Sequence, residues 1–387
     1  MVQRFGDEVA GGAEALCRAT AHALAERGDE VEVYTTTARD YLTWAPHYRP
    51  GTQADGAVIV HRFTADRPDP ARSAELTRSL SLGVGDAAAE VAWARAQGPI
   101  APGMLRALSR ARERHEAVAL WTYLYATTQL AMPLAPERTV LVPLAHDEPM
   151  LRFGLSRGLV RMARGLAFMT PEERRLVDDL HGVEGHEQEI VGAGLAAAPP
   201  GEGARARAAL DLPERFALYL GRLDPAKGLD ALVRAHGRHR AGGGPLGLVL
   251  AGRPTVRMRL PEWVRTTGFV DAATRGDLLD AAEVVVLPSP HESLSLVALE
   301  AWRANRPTLA IAHSEVLAGQ TARSGGGLLY LDAPTYDRQL RRLGGDPGLR
   351  ARLGAAGRAW TAGHTWDACA GRWSDLLQRV RAPLSPG

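Results

Sequence analysis

Two cations and two carboxylates stand out by type and spacing. The stretch "YLGRLDPAKGLDAL", residues 219–232, carries Arg222 and Lys227. Lys227 is the one lysine among 46 basic residues. A lysine ammonium is a compact point charge on a flexible stem, whereas a guanidinium is a wide planar fork. A narrow phosphate pocket can accept the first and exclude the second. Chance is the competing explanation, because a chain this rich in arginine, with Asn305 as its one asparagine, fits a GC-rich coding bias. The neighbours weigh on the choice. The apolar run "FALYLG" reads as a strand ending at Gly221, so Arg222 leaves a sheet at its carboxyl edge. Lys227 follows near the start of the helical stretch "GLDALVRAHGRH". Ligands of parallel sheets bind at that edge, and a fork with a point charge suits a pyrophosphate. Two solvated cations beside a loop are the plainer alternative.

The carboxylates lie in "VVVLPSPHESLSLVALEAWRANRP", residues 284–307. A buried strand ends at Pro288, a loop carries His291 and Glu292, and a helix begins near Ser295 and carries Glu300. On one continuous helix the two glutamates would point about 80° apart. With Glu292 in the loop, both can point into one site. Carboxylates accept hydrogen bonds from sugar and ribose hydroxyls. The amides of Ser295 and Leu296, unpaired at the helix start, attract phosphate. A capped surface helix with solvated acids is the alternative, and the apolar strand before it weighs against that.

Three further stretches carry weaker signals. In "DEVAGGAEA", Gly11 and Gly12 precede a helix and let the backbone approach a ligand, although such a pair also marks a plain turn. In "LVPLAHDEPM", His146 follows a strand at its carboxyl edge, with Asp147 and Glu148 beside it. Adjacent residues rarely converge on one ion, so no metal is assigned. "HGVEGHEQE", with His181 and His186, reads as a solvated helix end.

The elements that must position these groups alternate between strand and helix, the pattern of parallel α/β layers. "MVQRF", "EVEVYTT", "AVIVHRF", "AVALWTY", "TVLVPLA" and "RGLAFMT" are the strands of a first half that "EQEIVGAGL" closes. Residues 66–118 read as helical and irregular, broken at "QGPIAPG". "FALYLG", "LGLVLAG", "VRTTGFV", "EVVVLPS" and "PTLAIA" make the second half, and a helix-rich tail ends the chain. The length of 387 residues suits two or three domains. We expect two doubly wound, Rossmann-like domains facing across a cleft: residues 1–196, with the helix 365–387 packing back on them, and residues 197–364. The Ala/Pro/Gly-rich stretch 197–214 reads as a flexible linker. A first strand of five residues is short, so the natural chain is expected to begin upstream of Met1.

Composition narrows the function. A net charge of +2 does not support general nucleic-acid binding. Cys17 and Cys369 are too few for a disulfide framework, and a reducing cytoplasm fits. No apolar run approaches the length of a membrane span.

As a set, Gly11-Gly12-Ala13-Glu14, the strand-ending His146, "GRLDPAKG", "GFV" at 268–270 and "HESLSLVALEA" resemble the GT-B glycosyltransferases, specifically the retaining family four (glycosyl transferases group one). The resemblance covers nearly the whole chain. It implies transfer of a sugar from a nucleoside-diphosphate sugar to a hydroxyl acceptor, with retention of anomeric configuration, in glycan or glycoconjugate synthesis. It implies that Arg222 and Lys227 bind the donor pyrophosphate, that Glu292 holds donor-sugar hydroxyls and that Glu300 holds the ribose. Backbone near Gly252 and Val270 frames the base, and the amides at Ser295 and Leu296 contact phosphate and sugar. His146 lies near the anomeric centre, and Gly12 belongs to a loop approaching the donor phosphates. No cofactor or metal is expected, since two cations and a helix end supply the positive field. Leu294 stands where an aromatic residue is commoner, and Ser295 where glycine is common. These departures leave the donor sugar open. A nucleotide-sugar epimerase of the same fold and a non-catalytic nucleotide-sugar-binding protein are the rival readings.

The acceptor is expected to face residues 40–130, which hold Trp44, His47, Tyr48, Trp93, Arg95, Gln97, Tyr123 and Tyr125. Their rings suit stacking on a sugar, saccharide or lipid-linked, but equally suit a core. The basic "LRALSRARERHEA" suits a peripheral contact with an anionic membrane or a solvated helix.

Overall fold

The computed structural model describes residues 1–9, 11–196, 201–256 and 258–381. They divide into two compact units, Met1–Gly194 with Trp366–Gly387, and Leu195–Thr365. Residues 382–387 of the expected terminal helix lie outside the described residues.

The first unit contains two sheets. β1 (Glu32–Thr36) pairs in parallel with β3 (Val58–Phe63), and β2 (Gly51–Asp55) joins β3 antiparallel. β4 (Val118–Trp121), β5 (Thr139–Val142), β6 (Gly165–Phe168) and β7 (Glu187–Ile190) form a parallel sheet in that order. The runs "TVLV" and "GLAF" are buried at every position, as strands covered on both faces must be. Residues 1–5, expected as a strand, form no ladder of their own. They sit between β1 and β4, where Val2 N–H donates to Tyr34 O (3.2 Å) and Trp121 N–H donates to Met1 O (3.1 Å). The sequence reading missed β2, whose residues are polar and mostly exposed. Its signal was the Asp55-Gly56 turn ahead of β3, a common hairpin dipeptide.

Burial decides several open readings in this unit. Trp44, Trp93 and Tyr123 are core residues, each at most 2 % exposed. The Trp44 ring N–H donates to Gln97 O (2.9 Å) and that of Trp93 to Thr77 Oγ1 (2.9 Å). His181 and His186 are not a solvated helix end. Each imidazole hydrogen-bonds a backbone carbonyl at 2.7 Å, that of Leu151 and that of Ala163. The helix Trp366–Arg381 packs here, with Trp373 stacked on Trp121 (6.0 Å between centroids) and the Arg372 guanidinium donating to Val191 O (2.8 Å).

The second unit holds one six-stranded sheet of β8 (Phe216–Leu220), β9 (Gly247–Ala251), β10 (Val264–Gly268), β11 (Val284–Leu287), β12 (Thr308–Ile311) and β13 (Gly327–Tyr330). Their spatial order is β10-β9-β8-β11-β12-β13, and every pair is parallel. This is the doubly wound dinucleotide-fold order, with its switch point between β8 and β11. β8, β9 and β11 are buried throughout.

The expected flexible linker is corrected. Residues 197–200 lie outside the described residues, but Gly203–Ala209 is a helix. Arg205 grips Asp277 with two hydrogen bonds (2.6 and 2.8 Å), and Arg207 donates to Ala281 O (2.9 Å). The alanines and arginines of "GARARAA" favour helix, which outweighs the flanking prolines and glycines.

One prediction arises from this unit. His236 is fully buried on the helix Leu229–Ala241, bonded to Tyr336 Oη (2.8 Å) and Leu246 O (3.0 Å). Burial, with His239 adding to it, lowers its pKa to about 4. The folded chain therefore holds His236 neutral where the unfolded chain takes up a proton. Stability is full above the ordinary value of 6.5 and is lost as pH falls toward 4. The expected loss is on the order of 3 kcal/mol for the whole shift. Urea midpoints at pH 7 and pH 4, in wild type and in His236→Gln, check this. The variant shows a smaller fall between the two pH values.

Candidate active site

The switch point explains why two stretches far apart in sequence meet. β8 and β11 are adjacent and parallel, so their carboxyl ends release the loops 221–228 and 288–295 side by side. In the first loop Asp224 accepts from Ala226 N (3.0 Å) and caps the short turn Pro225–Lys227. Gly228 follows with φ 75°, a left-handed conformation that disfavours other residues. A Cβ there would also overlap the carbonyl of Pro288, so the two loops touch at this glycine. Across that contact Lys227 Nζ donates to Glu292 Oε1 (3.0 Å) and lies 3.5 Å from His291 O. Both side chains are partly buried, at 28 % and 19 % exposure. Arg222 is exposed at the mouth of β8, and its carbonyl accepts from the Tyr219 hydroxyl (2.7 Å). Burial, then the Glu292 carboxylate, pushes the Tyr219 phenol up.

Glu292 lies in the loop, four residues ahead of the helix Leu296–Arg303. Ser295 caps that helix by accepting from Ala298 N (3.3 Å). One expectation is corrected here. The Ser295 amide is not open to a ligand, because it donates to the buried Gln320 side chain (3.2 Å). Leu296 begins the helix, and its amide has no intrahelical partner by position. Glu300 lies within that helix and is held separately, with Arg275 donating to its Oε1 (3.0 Å). Its Oε2 is buried without a hydrogen-bond partner. Sequence reasoning missed Arg275, because nothing in its spacing points at Glu300.

Gly252 ties three strand ends together. Its N–H donates to Gly268 O (2.8 Å), and a Cβ would overlap the Gly221 carbonyl. Beyond β10, Phe269 is 56 % exposed with the Arg253 guanidinium 4.6 Å over its ring, and Val270 follows it, half-buried.

The first unit holds the other candidates. Gly12 opens the helix Gly12–Glu26, and the adjoining Ala10 lies outside the described residues. Below it, the buried Glu14 carboxylate accepts from Arg4 (2.5 Å) and Gln3 (2.8 Å). A side chain on Gly11 would overlap that carboxylate. His146 follows β5 with its Nε2 3.3 Å from Glu148 Oε2. The other Glu148 oxygen accepts from the buried Tyr123 hydroxyl. Glu148 and Tyr123 thus orient His146, a relay the sequence reading did not assemble. Among the described residues, no cluster of His, Cys, Asp and Glu is suited to a metal.

The doubly wound second unit and the paired cation and carboxylate at its switch point define a class. The chain has the GT-B fold. It superposes on sucrose-phosphate synthase from Thermosynechococcus elongatus with a TM-score of 0.75, at 19 % identity and covering 99 % of each chain. It also superposes on HepE of Anabaena, solved with UDP and glucose, with a TM-score of 0.67, at 16 % identity and covering 97 % of this chain and 99 % of that one. Residues 214–343 match the family model described as Glycosyl transferases group 1. The D-inositol 3-phosphate glycosyltransferase of Kineococcus radiotolerans is 28 % identical, over 96 % of this chain and 91 % of that protein. Its counterpart in Streptosporangium roseum is 32 % identical, over 62 % of this chain and 61 % of that protein. The chain is a glycosyltransferase, and its residues 214–343 carry the similarity to group 1.

Proposed function

We propose that the enzyme takes a sugar from a nucleoside-diphosphate sugar and passes it to a hydroxyl acceptor with retention of configuration. The observation carrying this is the Lys227–Glu292 pair at the switch point. It supports the reading because a cation suited to a leaving phosphate stands next to a carboxylate suited to sugar hydroxyls. Departure of the nucleoside diphosphate develops negative charge on the β-phosphate. Arg222 and Lys227, with the Leu296 amide at the helix start, stabilise that charge. Donors already in position, away from bulk water, typically supply the largest catalytic term. Glu300 holds the ribose, and the backbone near Gly252 and Val270 frames the base; His146 is assigned to the anomeric carbon and Gly12 to the phosphates by the family resemblance alone. Attack on the same face as departure, with the leaving phosphate taking the acceptor proton, gives retention without a protein nucleophile.

The positive field of the cations makes a metal unnecessary in this reading. Relatives named for D-inositol 3-phosphate make a small phosphorylated polyol the first acceptor to try. No helix among the described residues is long and apolar enough to cross a membrane. Two buried, unpaired thiols, Cys17 and Cys369, suit a reducing cytoplasm.

A thermal-shift screen of UDP-, GDP- and ADP-sugars identifies the donor. NMR of the product with that donor is expected to show the donor's anomeric configuration, at the same rate in EDTA as without it. An inverted product overturns the retaining mechanism, and loss of activity in EDTA overturns the metal-free one.

A further inference from the structure

We propose that Glu173 is a positioning residue for His146, its buried carboxyl holding the turn on which His146 stands. This rests on the reading of His146 as the residue beside the anomeric carbon. Glu173 is the third residue of the helix Pro171–His181, and Thr170 caps that helix by accepting from Glu173 N (3.2 Å). In a plain capping box, the glutamate reaches back only to its own N-cap amide. This one does more. Its Oε2 accepts from Met169 N (2.6 Å), and its Oε1 accepts from Ala145 N (2.6 Å). Met169 follows β6 and Ala145 lies beyond β5, so one carboxyl clamps the ends of two neighbouring strands.

The clamped turn needs holding. Leu144 has φ 52°, a left-handed conformation that costs a side-chain-bearing residue about 1–2 kcal/mol. Such a conformation persists where the surroundings over-determine it. Ala145, fully buried, is next, and His146 is the residue after that. Glu173 is itself 1 % exposed, and that burial pushes its carboxyl up to about 8. A capping box alone does not require such burial, since the one formed by Asp332 and Thr335 pairs an exposed N-cap with a half-buried third residue. His146 is thus set from two sides: its backbone through Glu173, and its ring through Glu148 and Tyr123.

The test uses the full chain and two variants. Glu173→Gln keeps one acceptor oxygen and turns an NH2 group toward one of the two amides. Glu173→Asp keeps the carboxyl group but is too short to reach both amides, and serves if the first variant does not fold. Ring signals of His146, assigned by their loss in His146→Gln, are followed by proton–nitrogen NMR. Hydrolysis of UDP-glucose is measured in parallel. The expected result is a shift of the His146 signals and a fall of about tenfold in kcat, with KM within twofold of wild type. A lower melting temperature with unmoved His146 signals and unchanged kcat per folded molecule makes Glu173 a mere cap and overturns the inference. Wild-type turnover by His146→Gln overturns the assignment of His146 instead.

Discussion

Glu292→Gln is expected to lower turnover about 100-fold while tightening the binding of free nucleoside diphosphate. The loss follows from exchanging a charged acceptor for a neutral one at the sugar hydroxyls, which costs about 1.5–3 kcal/mol per charge-assisted hydrogen bond. The gain follows from the ion pair. Lys227 donates to Glu292 at 3.0 Å, so a phosphate must compete with that carboxylate for the same ammonium. Glutamine removes the competition. The pair is partly exposed, so its worth is modest, ~1 kcal/mol, and the nucleotide gain is threefold to tenfold. Glu300→Gln behaves differently. Its carboxylate is meant for the ribose, which donor and product share, so turnover and nucleotide affinity both fall. Titration calorimetry with the nucleoside diphosphate and turnover assays on both variants separate the two signatures. Unchanged turnover in folded Glu292→Gln sinks the site assignment.

Lys227 is expected to be nearly as sensitive, and to reject its closest substitute. Lys227→Ala removes a cation from the leaving phosphate and strands the Glu292 carboxylate, so kcat/KM falls about 1000-fold, the scale of losing one donor from a preorganised anion site. Lys227→Arg keeps the charge and still loses about tenfold or more. The loop around Lys227 is fixed by the Asp224 cap and by the contact of Gly228 with Pro288. A planar fork there cannot rotate into the space of a point charge. Nucleotide affinity and kcat/KM for Lys227→Arg measure this directly. Equal affinity returns the single lysine to chance.

Much of the second unit was legible because its signals are local. "FALYL" and "VVVL" are short continuous apolar runs of the kind that a strand covered on both faces uses. Ser295 marks a helix start, which leaves Glu292 in a loop whatever the tertiary fold. The less legible parts depend on distant partners. The arginines of 203–209 show their purpose only beside Asp277 and Ala281, some seventy residues on. Trp44, Trp93 and Tyr123 have the same composition whether they stack on a sugar or fill a core, and only burial tells them apart.

The sequence by itself determined which groups are available: a fork at 222, a point charge at 227 and a histidine at 146 in the loops beyond strands, an acid at 292 in another such loop, and an acid at 300 on the helix that follows it. Tertiary structure alone decided how they are partnered. Strand order is a non-local property, and placing β11 beside β8 is what carries Glu292 to within 3.0 Å of Lys227, across 65 positions of chain. The same holds for Gln320 closing the Ser295 amide, for Arg275 holding Glu300, and for Glu173 gripping the turn before His146. Local patterns encode the period and ends of an element, whereas hydrogen bonds between loops appear only once the sheet has set which loops are neighbours.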